Sequence, residues 1–490
     1  MAGMDRIEHI FVLMLENRSF DHMLGFSSLE GTDAETGERT AIRGLAGNES
    51  NDFEGQIYGV ARGADYVMPV DPHHEFPDIL HQLCGHAAVY QPGGTYPAVN
   101  NSGYVASYAA SGGNQAPGEV MKCFAPEQLP VLYALAREFA VCDNWHASMP
   151  GPTWPNRMFV HAGSSGGLDH SPSMAEIVEW EAGPGYDFLN HTIFDLLKAK
   201  GIKRRIYAGD HFPMVAALRG IGLDDIREYE HFAADLASDT YPYSYIFIEP
   251  SYDVLRNYKN SSSQHPLADI RKGEALIKVT YEAVRNSPHW EKSLLIFTWD
   301  ENGGFYDHAD PPAAIAPGDS WEKSKYNRYG FTFEKYGPRV PVVVVSPFIR
   351  QGVIDHRLYD HTSVLATIEK RYGLVGMTNR DRTANNLWPL VQGAEARPAP
   401  ESLPGPIETD SLQAGIRGPS DAATTGGADV EDTVDNGNLP AIVYSALQQH
   451  LRISSGDRGE ILGRVRTIRT VGDAGEYLAE VDGELNARRL

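Results

Sequence analysis

Residues 10–17 read IFVLMLEN, six apolar residues that are followed at once by Glu16 and Asn17. A short continuous apolar run is typical of a strand that is buried on both faces, as in a parallel sheet covered by helices. Residues 294–302, LLIFTWDEN, repeat the pattern far along the chain. The two segments therefore predict two buried strands, each of which ends in acidic or amide side chains.

Between and beyond these two runs, other apolar runs alternate with helical patterns. Such alternation is typical of a doubly wound sheet, so we predict an α/β fold with a mostly parallel sheet between helices. The predicted strands are 10–15, 139–142, 205–208, 245–248, 294–298 and 340–346, and the predicted helices are 129–138, 192–200, 267–286 and 363–372.

The length of 490 residues allows a large domain with additional segments. We predict one domain at 1–393, a linker at 394–437 that is rich in Pro, Gly, Ala, Asp and Thr, and a helical extension at 438–490 that packs on the domain. Long polar stretches interrupt the domain, and loops of such length usually carry function. We interpret them as insertions that frame a site, at about 28–66, 92–118 and 312–337.

The composition, 42% hydrophobic and 22% charged, is that of an ordinary globular enzyme. The formal net charge of −23 opposes standing contact with nucleic acid or anionic lipid, so we expect no nucleic-acid partner and at most transient membrane contact. A small phosphate ester stays compatible, because the field inside a site depends on its own ions and dipoles. The three cysteines show no CxxC spacing, which argues against a disulfide scaffold and a zinc–thiolate site.

The first apolar run has the length of a core strand, and neither a basic lead nor a small-residue cleavage site accompanies it. We expect a cytoplasmic protein, or one that is exported without a recognisable signal peptide. The sequence does not indicate an oligomeric state.

Side chains at the carboxyl ends of parallel strands meet at one edge of an open sheet. Glu16 and Asn17 should therefore converge with Asp300 and Glu301. Three carboxylates and one amide oxygen suit Ca²⁺, Mg²⁺ or Mn²⁺, and the neutral amide oxygen favours Ca²⁺. Either pair alone is better explained as a helix cap, but two pairs at matching strand ends favour a metal.

A hydroxyl at a helix start is the third element of the predicted site. Residues 146–159 read HASMPGPTWPNRMF, in which Pro-Gly-Pro makes a turn and Thr153 takes the N-cap position before Pro155. Free N–H groups at such a start bind phosphate. A threonine hydroxyl becomes a useful nucleophile only when a metal or base activates it, and the local alternative is that Thr153 simply caps the helix.

Seven motifs across about residues 7–375 indicate the class of protein more specifically than these residues do. They are EHIFVLMLENRSFDHMLG, GPTWPNRMF, SYIFIEPSYD, SSSQHPLADIRKGEALI, SPHWEKSLLIFTWDENGGFYDH, YGPRVPVVVVSPF and YDHTSVLATIEKRYG. In this order they resemble the bacterial phospholipase C and acid phosphatase family, a branch of the alkaline phosphatase superfamily. The resemblance implies an alkaline-phosphatase-like fold and a phosphoesterase with a divalent metal, Ca²⁺ being favoured over Zn²⁺, Mg²⁺ or Mn²⁺.

The resemblance also implies residue roles. Glu16, Asn17, Asp300 and Glu301 match the family's metal ligands, and Thr153 matches a metal-bound nucleophile that is phosphorylated during the reaction.

Two histidines match active-site residues of the family, and one further position matches only loosely. His74 and His265 match active-site histidines, although His73 is an alternative to His74; Asp210 or His211 lies where some members carry a histidine pair.

Asn156 and Arg157 follow the nucleophile closely enough to touch a phosphoryl oxygen, and an equal alternative is that they lock the turn. We interpret His308 and His361 as structural hydrogen-bonding residues.

The expected substrate is a phospholipid headgroup diester such as phosphatidylcholine, and the alternative is a broad acid phosphatase that acts on monoesters. A sulfatase is disfavoured because GPTWPNR lacks the C/S-x-P-x-R spacing. A binding protein without catalysis is disfavoured because clustered carboxylates are costly in an idle site.

Overall fold

The apolar run at residues 10–15 lies at the centre of a ten-stranded sheet in a computed structural model, which describes residues 2–180, 185–320, 324–408, 430–435, 437–454 and 456–489. The strands are β1 (His9–Leu15), β2 (Glu30–Asp33), β3 (Arg39–Ala41), β4 (Ser50–Phe53), β5 (Gln56–Gly59), β6 (Ala61–Arg62), β7 (Lys122–Cys123), β8 (Ala140–Cys142), β9 (Trp145–His146), β10 (Arg204–Ala208), β11 (Ile226–Glu228), β12 (Tyr245–Glu249), β13 (Ser293–Trp299), β14 (Val342–Val345), β15 (Val353–Asp355) and β16 (Tyr359–Asp360).

The helices connect these strands and cover the sheet. They are α1 (Ala2–Arg6), α2 (Phe20–Leu24), α3 (Phe76–Cys84), α4 (Tyr104–Ala110), α5 (Pro130–Glu138), α6 (Thr153–Ala162), α7 (Met174–Trp180), α8 (Ile193–Ala199), α9 (Phe232–Leu236), α10 (Ile270–Arg285), α11 (Thr362–Tyr372), α12 (Asn379–Thr383), α13 (Leu439–Ile453), α14 (Arg458–Val465) and α15 (Val471–Arg489).

The main sheet has the strand order β11-β10-β12-β1-β13-β14-β8-β15-β2-β3. Strands β12, β1 and β13 are parallel neighbours, and every residue of β1 is buried. The predicted α/β class with a mostly parallel sheet is therefore confirmed, and each of the six predicted strands is present. Because β1 and β13 are adjacent and parallel, their carboxyl ends lie side by side.

Two features differ from the expectation. Strand β14 is antiparallel to both of its neighbours, β13 and β8. The segment 28–66 is not simply an insertion that frames a site, because β2 and β3 within it extend the main sheet at its edge. Both strands are short and contain no fully buried residue, so they lack the apolar pattern by which a strand is recognised.

The C-terminal extension is helical and packs against the domain. Helix α13 contacts residues 214–217, and the ring of Tyr444 packs edge-on against Tyr186 and Trp180. Residues 394–408 of the expected linker lie along α10, where the carbonyl of Leu403 accepts a hydrogen bond from Lys278. Residues 409–429 and 436 of that linker lie outside the described residues. In the ranges that the structure describes, no helix is both long and apolar enough to cross a bilayer.

A buried arginine joins the loops that follow β1 and β13. The guanidinium of Arg339 donates to Asp21 Oδ1 at 2.9 Å and to Asp307 Oδ1 at 2.9 Å. His308 pairs with Asp21 at 2.6 Å, as expected of a structural histidine. Although Asp21, Asp307 and His308 are close enough to hold a metal ion, Arg339 already supplies the positive charge there.

We predict that Arg339→Met lowers the free energy of unfolding by about 3–5 kcal/mol, because it leaves two buried carboxylates without their cation. Arg219→Met is the matched control: Arg219 pairs with Asp187 on the surface, with 56% of its side chain exposed, and its loss should cost less than about 1 kcal/mol. Thermal melts of both variants measure the difference, and equal shifts would contradict the role of Arg339.

Candidate active site

The loops after β1 and β13 are interlocked by their backbones. The N–H of Asp300 donates to the carbonyl of Leu15 at 3.2 Å, and the N–H of Arg18 donates to the carbonyl of Glu301 at 2.9 Å. Gly303 permits this close approach, since a Cβ at that position would lie 2.2 Å from the Asn17 carbonyl oxygen. The predicted convergence of the two strand ends is therefore present in the structure.

Asn17 lies at the centre of the cluster. Its φ of +57° is a left-handed conformation that Asn adopts more readily than most residues. Its backbone N–H donates to Asp300 Oδ1 at 2.9 Å, and its Nδ2 donates to Glu301 Oε1 and, at 3.3 Å, to Thr153 Oγ1. One asparagine thus links the ends of both strands to the predicted nucleophile.

Thr153 begins α6, but its position differs by one residue from the expectation. Pro152 is the N-cap and Thr153 is the first helical residue, so the threonine hydroxyl does not cap the helix and faces Asn17 instead. The residue is 1% exposed. A hydroxyl at the positive end of a helix dipole is well placed beside a phosphate.

Asn156 locks the turn before α6. Its Oδ1 accepts from the N–H of Met149 at 3.1 Å, and its Nδ2 donates to the carbonyls of Gly151 and Pro152 at 2.9 and 3.1 Å. Of the two roles considered for Asn156, these contacts favour the turn over a phosphoryl contact. We expect its carboxamide to be unavailable to substrate because both of its polar atoms are engaged.

Arg157 and Asp300 form a buried pair behind the cluster. Arg157 Nε donates to Asp300 Oδ2 at 3.0 Å, and its Nη2 donates to the carbonyls of Met14 and Leu15. Asp300 Oδ1 accepts from two backbone N–H groups, those of Asn17 and Glu301. Both carboxylate oxygens of Asp300 therefore accept hydrogen bonds from the protein, and these bonds hold the ends of β1 and β13 together. His361 supports it by donating to its carbonyl at 2.6 Å.

Of the two adjacent histidines, His74 is the one that reaches the cluster. Its Nδ1 donates to the Pro72 carbonyl at 2.7 Å, which directs Nε2 to within 3.4 Å of Asn17 Nδ2 and 3.9 Å of Glu301 Oε1. Although burial opposes it, the carboxylates of Glu301 and Asp71 raise the pKa of His74 to about 10. His73 is exposed at the mouth of the same cleft.

His265 faces the cluster from the other side. Its ring lies 6.4 Å from that of His74, and it stacks on Tyr258 with 3.5 Å between ring centroids. Its Nε2 is 3.5 Å from Asp71 Oδ2. Burial and the nearby His74 lower the pKa of His265. His265 therefore favours the neutral form, whereas His74 favours the protonated form.

A cleft of about 390 Å³ opens above the two histidines. Of the three predicted insertions, only 312–337 contributes to its wall among the described residues, through Arg328 and Tyr329. The other lining residues come from 71–78, 171–173, 258–265 and 435–440, where the linker meets the C-terminal extension.

Asp210 and His211 lie beside the C-terminal extension. Asp210 accepts hydrogen bonds from the backbone of Tyr252 and Asp253, and His211 pairs with Asp482 of α15. Neither is among the residues that line the cleft. In the described part of the chain, the hydrogen bonds of these two residues therefore do not connect them with the cluster.

Two buried oxygens of the cluster lack partners and are free to bind a cation, although its three carboxylates lie farther apart than those of a compact metal-binding group such as Asp21, Asp307 and His308. Glu16 Oε2 and Asn17 Oδ1 are buried, and neither accepts a hydrogen bond within the described residues. Burial and the Asp300 carboxylate raise the pKa of Glu16, and burial raises the pKa of Glu301 despite the nearby His74. A divalent cation bound by Glu16, Asn17 and Glu301 would satisfy these oxygens and offset the repulsion.

Three contributors were not predicted from the sequence. Asp71 faces both histidines, Tyr258 stacks on His265, and Asn438 donates from Nδ2 to Glu16 Oε1 at 2.8 Å. Only Asp71 could have been found from the sequence, because it lies two and three positions before His73 and His74. Asn438 comes from the C-terminal extension, where no motif marks it.

The chain is similar to several known proteins. A model of the phosphoesterase family matches residues 7–375. Non-specific phospholipase C6 of Arabidopsis thaliana is 34% identical over 403 residues, 79% of this chain and 72% of that protein. Phospholipase C B of Mycobacterium tuberculosis is 26% identical over 75% of this chain and 74% of that protein. A solved structure from the alkaline phosphatase superfamily, of Vibrio parahaemolyticus, has 16% identity and a TM-score of 0.32 over 53% of this chain and 64% of that one.

This chain belongs to the phosphoesterase family, because the family model spans most of its length. It is accordingly a hydrolase that acts on phosphoric ester bonds. The family and the class of hydrolase, both expected from the motifs, are therefore confirmed.

We predict that His74→Ala lowers kcat by about 100-fold or more, because a positioned imidazole that exchanges protons or charge with the reacting group contributes at least that much. His73→Ala, at the exposed neighbouring position, is the matched control and should change kcat only slightly. Steady-state kinetics on a chromogenic phosphate ester distinguish the two, and a larger loss in His73→Ala would show that the wrong histidine was chosen.

Proposed function

We propose that the protein is a metal-dependent phospholipase C-type enzyme that hydrolyses phosphatidylcholine-like lipids through Thr153. The observation that carries this proposal is the Thr153 hydroxyl, buried at the start of α6 and 3.3 Å from Asn17 within a cluster of carboxylates. Neither a helix cap nor a core hydroxyl needs buried carboxylates nearby, whereas a nucleophile that is activated by a metal needs the carboxylates that bind the metal.

Glu16, Asn17 and Glu301 would hold the cation together with Thr153, with Asp300 beside them, and Ca²⁺ is favoured for this all-oxygen set. A bound divalent cation lowers the pKa of a coordinated hydroxyl and polarises phosphoryl oxygen. The protein's part is to exclude water around Thr153 and to fix its hydroxyl at the end of the helix dipole.

In the first step the Thr153 oxygen, whose hydroxyl proton has been released to solvent, attacks phosphorus, and the bond from phosphorus to the glycerol oxygen breaks. His74 or His265 donates a proton to that leaving oxygen, so diacylglycerol departs as an alcohol. In the second step water attacks the phosphothreonine ester and releases the phosphorylated headgroup, while a histidine takes up the proton. While it is protonated, His74 also stabilises the equatorial oxygens through its positive charge.

The lining of the cleft supports a headgroup that carries a positive charge. Asp71, Glu75 and Asp435 bring carboxylates to the wall, and Tyr258 and Tyr329 bring aromatic rings. Carboxylates and aromatic faces are the groups that attract a quaternary ammonium. The phospholipase C names of the relatives point to the same class of diester.

We predict that Thr153→Ala lowers kcat by about 10³-fold or more, whereas Thr153→Ser retains activity because it keeps a hydroxyl. Thr383→Ala, an exposed threonine of α12, is the control and should match the wild type. Acid quench and peptide mass spectrometry should find the phosphorylated headgroup on residue 153 of the wild type. A Thr153→Ala variant that keeps most of its activity would refute the nucleophile.

For the substrate, we predict that kcat/KM for p-nitrophenylphosphocholine exceeds that for p-nitrophenyl phosphate by about tenfold or more, since a cation held by an aromatic and acidic wall is worth over 1 kcal/mol. Tyr329→Leu should reduce this ratio, whereas Tyr326→Leu, outside the cleft, should not. A preference for the monoester would instead indicate an acid phosphatase.

A further inference from the structure

The C-terminal extension reaches the active site at the start of α13. Asp435, Gly437 and Asn438 line the cleft that also contains His74 and His265. Asn438 is 5% exposed, and its Nδ2 donates to Glu16 Oε1 at 2.8 Å. The contact joins residues 422 positions apart in the sequence.

Asn438 is the N-cap of α13, yet its side chain makes no cap hydrogen bond. An asparagine at this position normally accepts a hydrogen bond from an N–H of the first helical turn. Here the carboxamide turns away from its own helix and toward Glu16. The helix therefore lacks the stabilisation that the residue type offers, and the contact with Glu16 takes its place.

A second contact connects Asn438 with His265. The backbone N–H of Asn438 donates to the Tyr258 hydroxyl at 3.4 Å, and Tyr258 stacks on His265. Tyr258 has a φ of +63°, which is rare for a bulky residue and is maintained only by its surroundings. Gly437 allows the approach, because a Cβ there would lie 2.9 Å from the Tyr258 hydroxyl.

We propose that Asn438 is a positioning residue of the active site, which fixes the Glu16 carboxylate through Oε1 and leaves Oε2 free to bind the cation. Groups that hydrogen-bond to a metal ligand orient it, and their loss typically weakens metal affinity by about 10- to 100-fold. The C-terminal extension is therefore a required part of the catalytic unit. This inference rests on the proposed metal-dependent function.

The experiment is calorimetric titration of the full-length, metal-free protein with CaCl2. Asn438→Ala and Asn438→Leu should both raise the Kd for Ca²⁺ by about 10- to 100-fold. The leucine variant keeps the volume of the side chain and removes its donor, so it separates the hydrogen bond from packing. Asn486→Ala, an exposed asparagine of α15, is the matched control and should leave the Kd unchanged.

A second readout distinguishes positioning from a loss of folding. Thermal melts of the metal-free variants should stay close to that of the wild type, and raising the Ca²⁺ concentration should restore most of kcat in Asn438→Ala. A variant that is merely misfolded would not recover with Ca²⁺.

The failures of the two proposals are distinguishable. If the wild type binds Ca²⁺ and Asn438→Leu binds it equally well, the role of Asn438 is refuted while the metal-dependent function stands. If the wild type binds neither Ca²⁺ nor Mg²⁺, Mn²⁺ or Zn²⁺, the proposed function fails and this inference fails with it.

Discussion

Three carboxylates buried at the ends of two adjacent strands set the main constraint on this structure. Glu16, Asp300 and Glu301 are each fully buried, and buried charges require partners. Arg157 and backbone N–H groups satisfy Asp300, whereas Glu16 and Asn17 keep free oxygens. The parallel pairing of β1 with β13 imposes this crowding, and the Thr153 hydroxyl lies beside it.

Much of the fold could be predicted because strands that are buried on both faces have uninterrupted apolar sequences. Such runs do not reveal strand direction, since VVVV of β14 would suit a parallel neighbour equally well. The edge strands β2 and β3 were missed for the opposite reason, because strands without fully buried residues have no apolar pattern. Residues 30–41 therefore resembled an insertion.

The site was predictable wherever its residues directly follow a strand or begin a helix, because such positions are fixed by the topology. Glu16, Asn17 and Thr153 are of this kind. The choice of His74 over His73 required coordinates, since neighbouring loop residues point in different directions. Asn438 could not have been predicted, because only the packing of a distant helix brings it to Glu16.

The central claim is that one cation binds among these strand-end oxygens beside the Thr153 hydroxyl. The most direct measurement is a crystal structure of the protein grown with CaCl2, with anomalous diffraction data to locate the ion. A single strong peak is expected, in contact with Glu16, Asn17, Glu301 and the Thr153 oxygen. A cluster without a peak at saturating Ca²⁺, or a peak held by other residues, would contradict it.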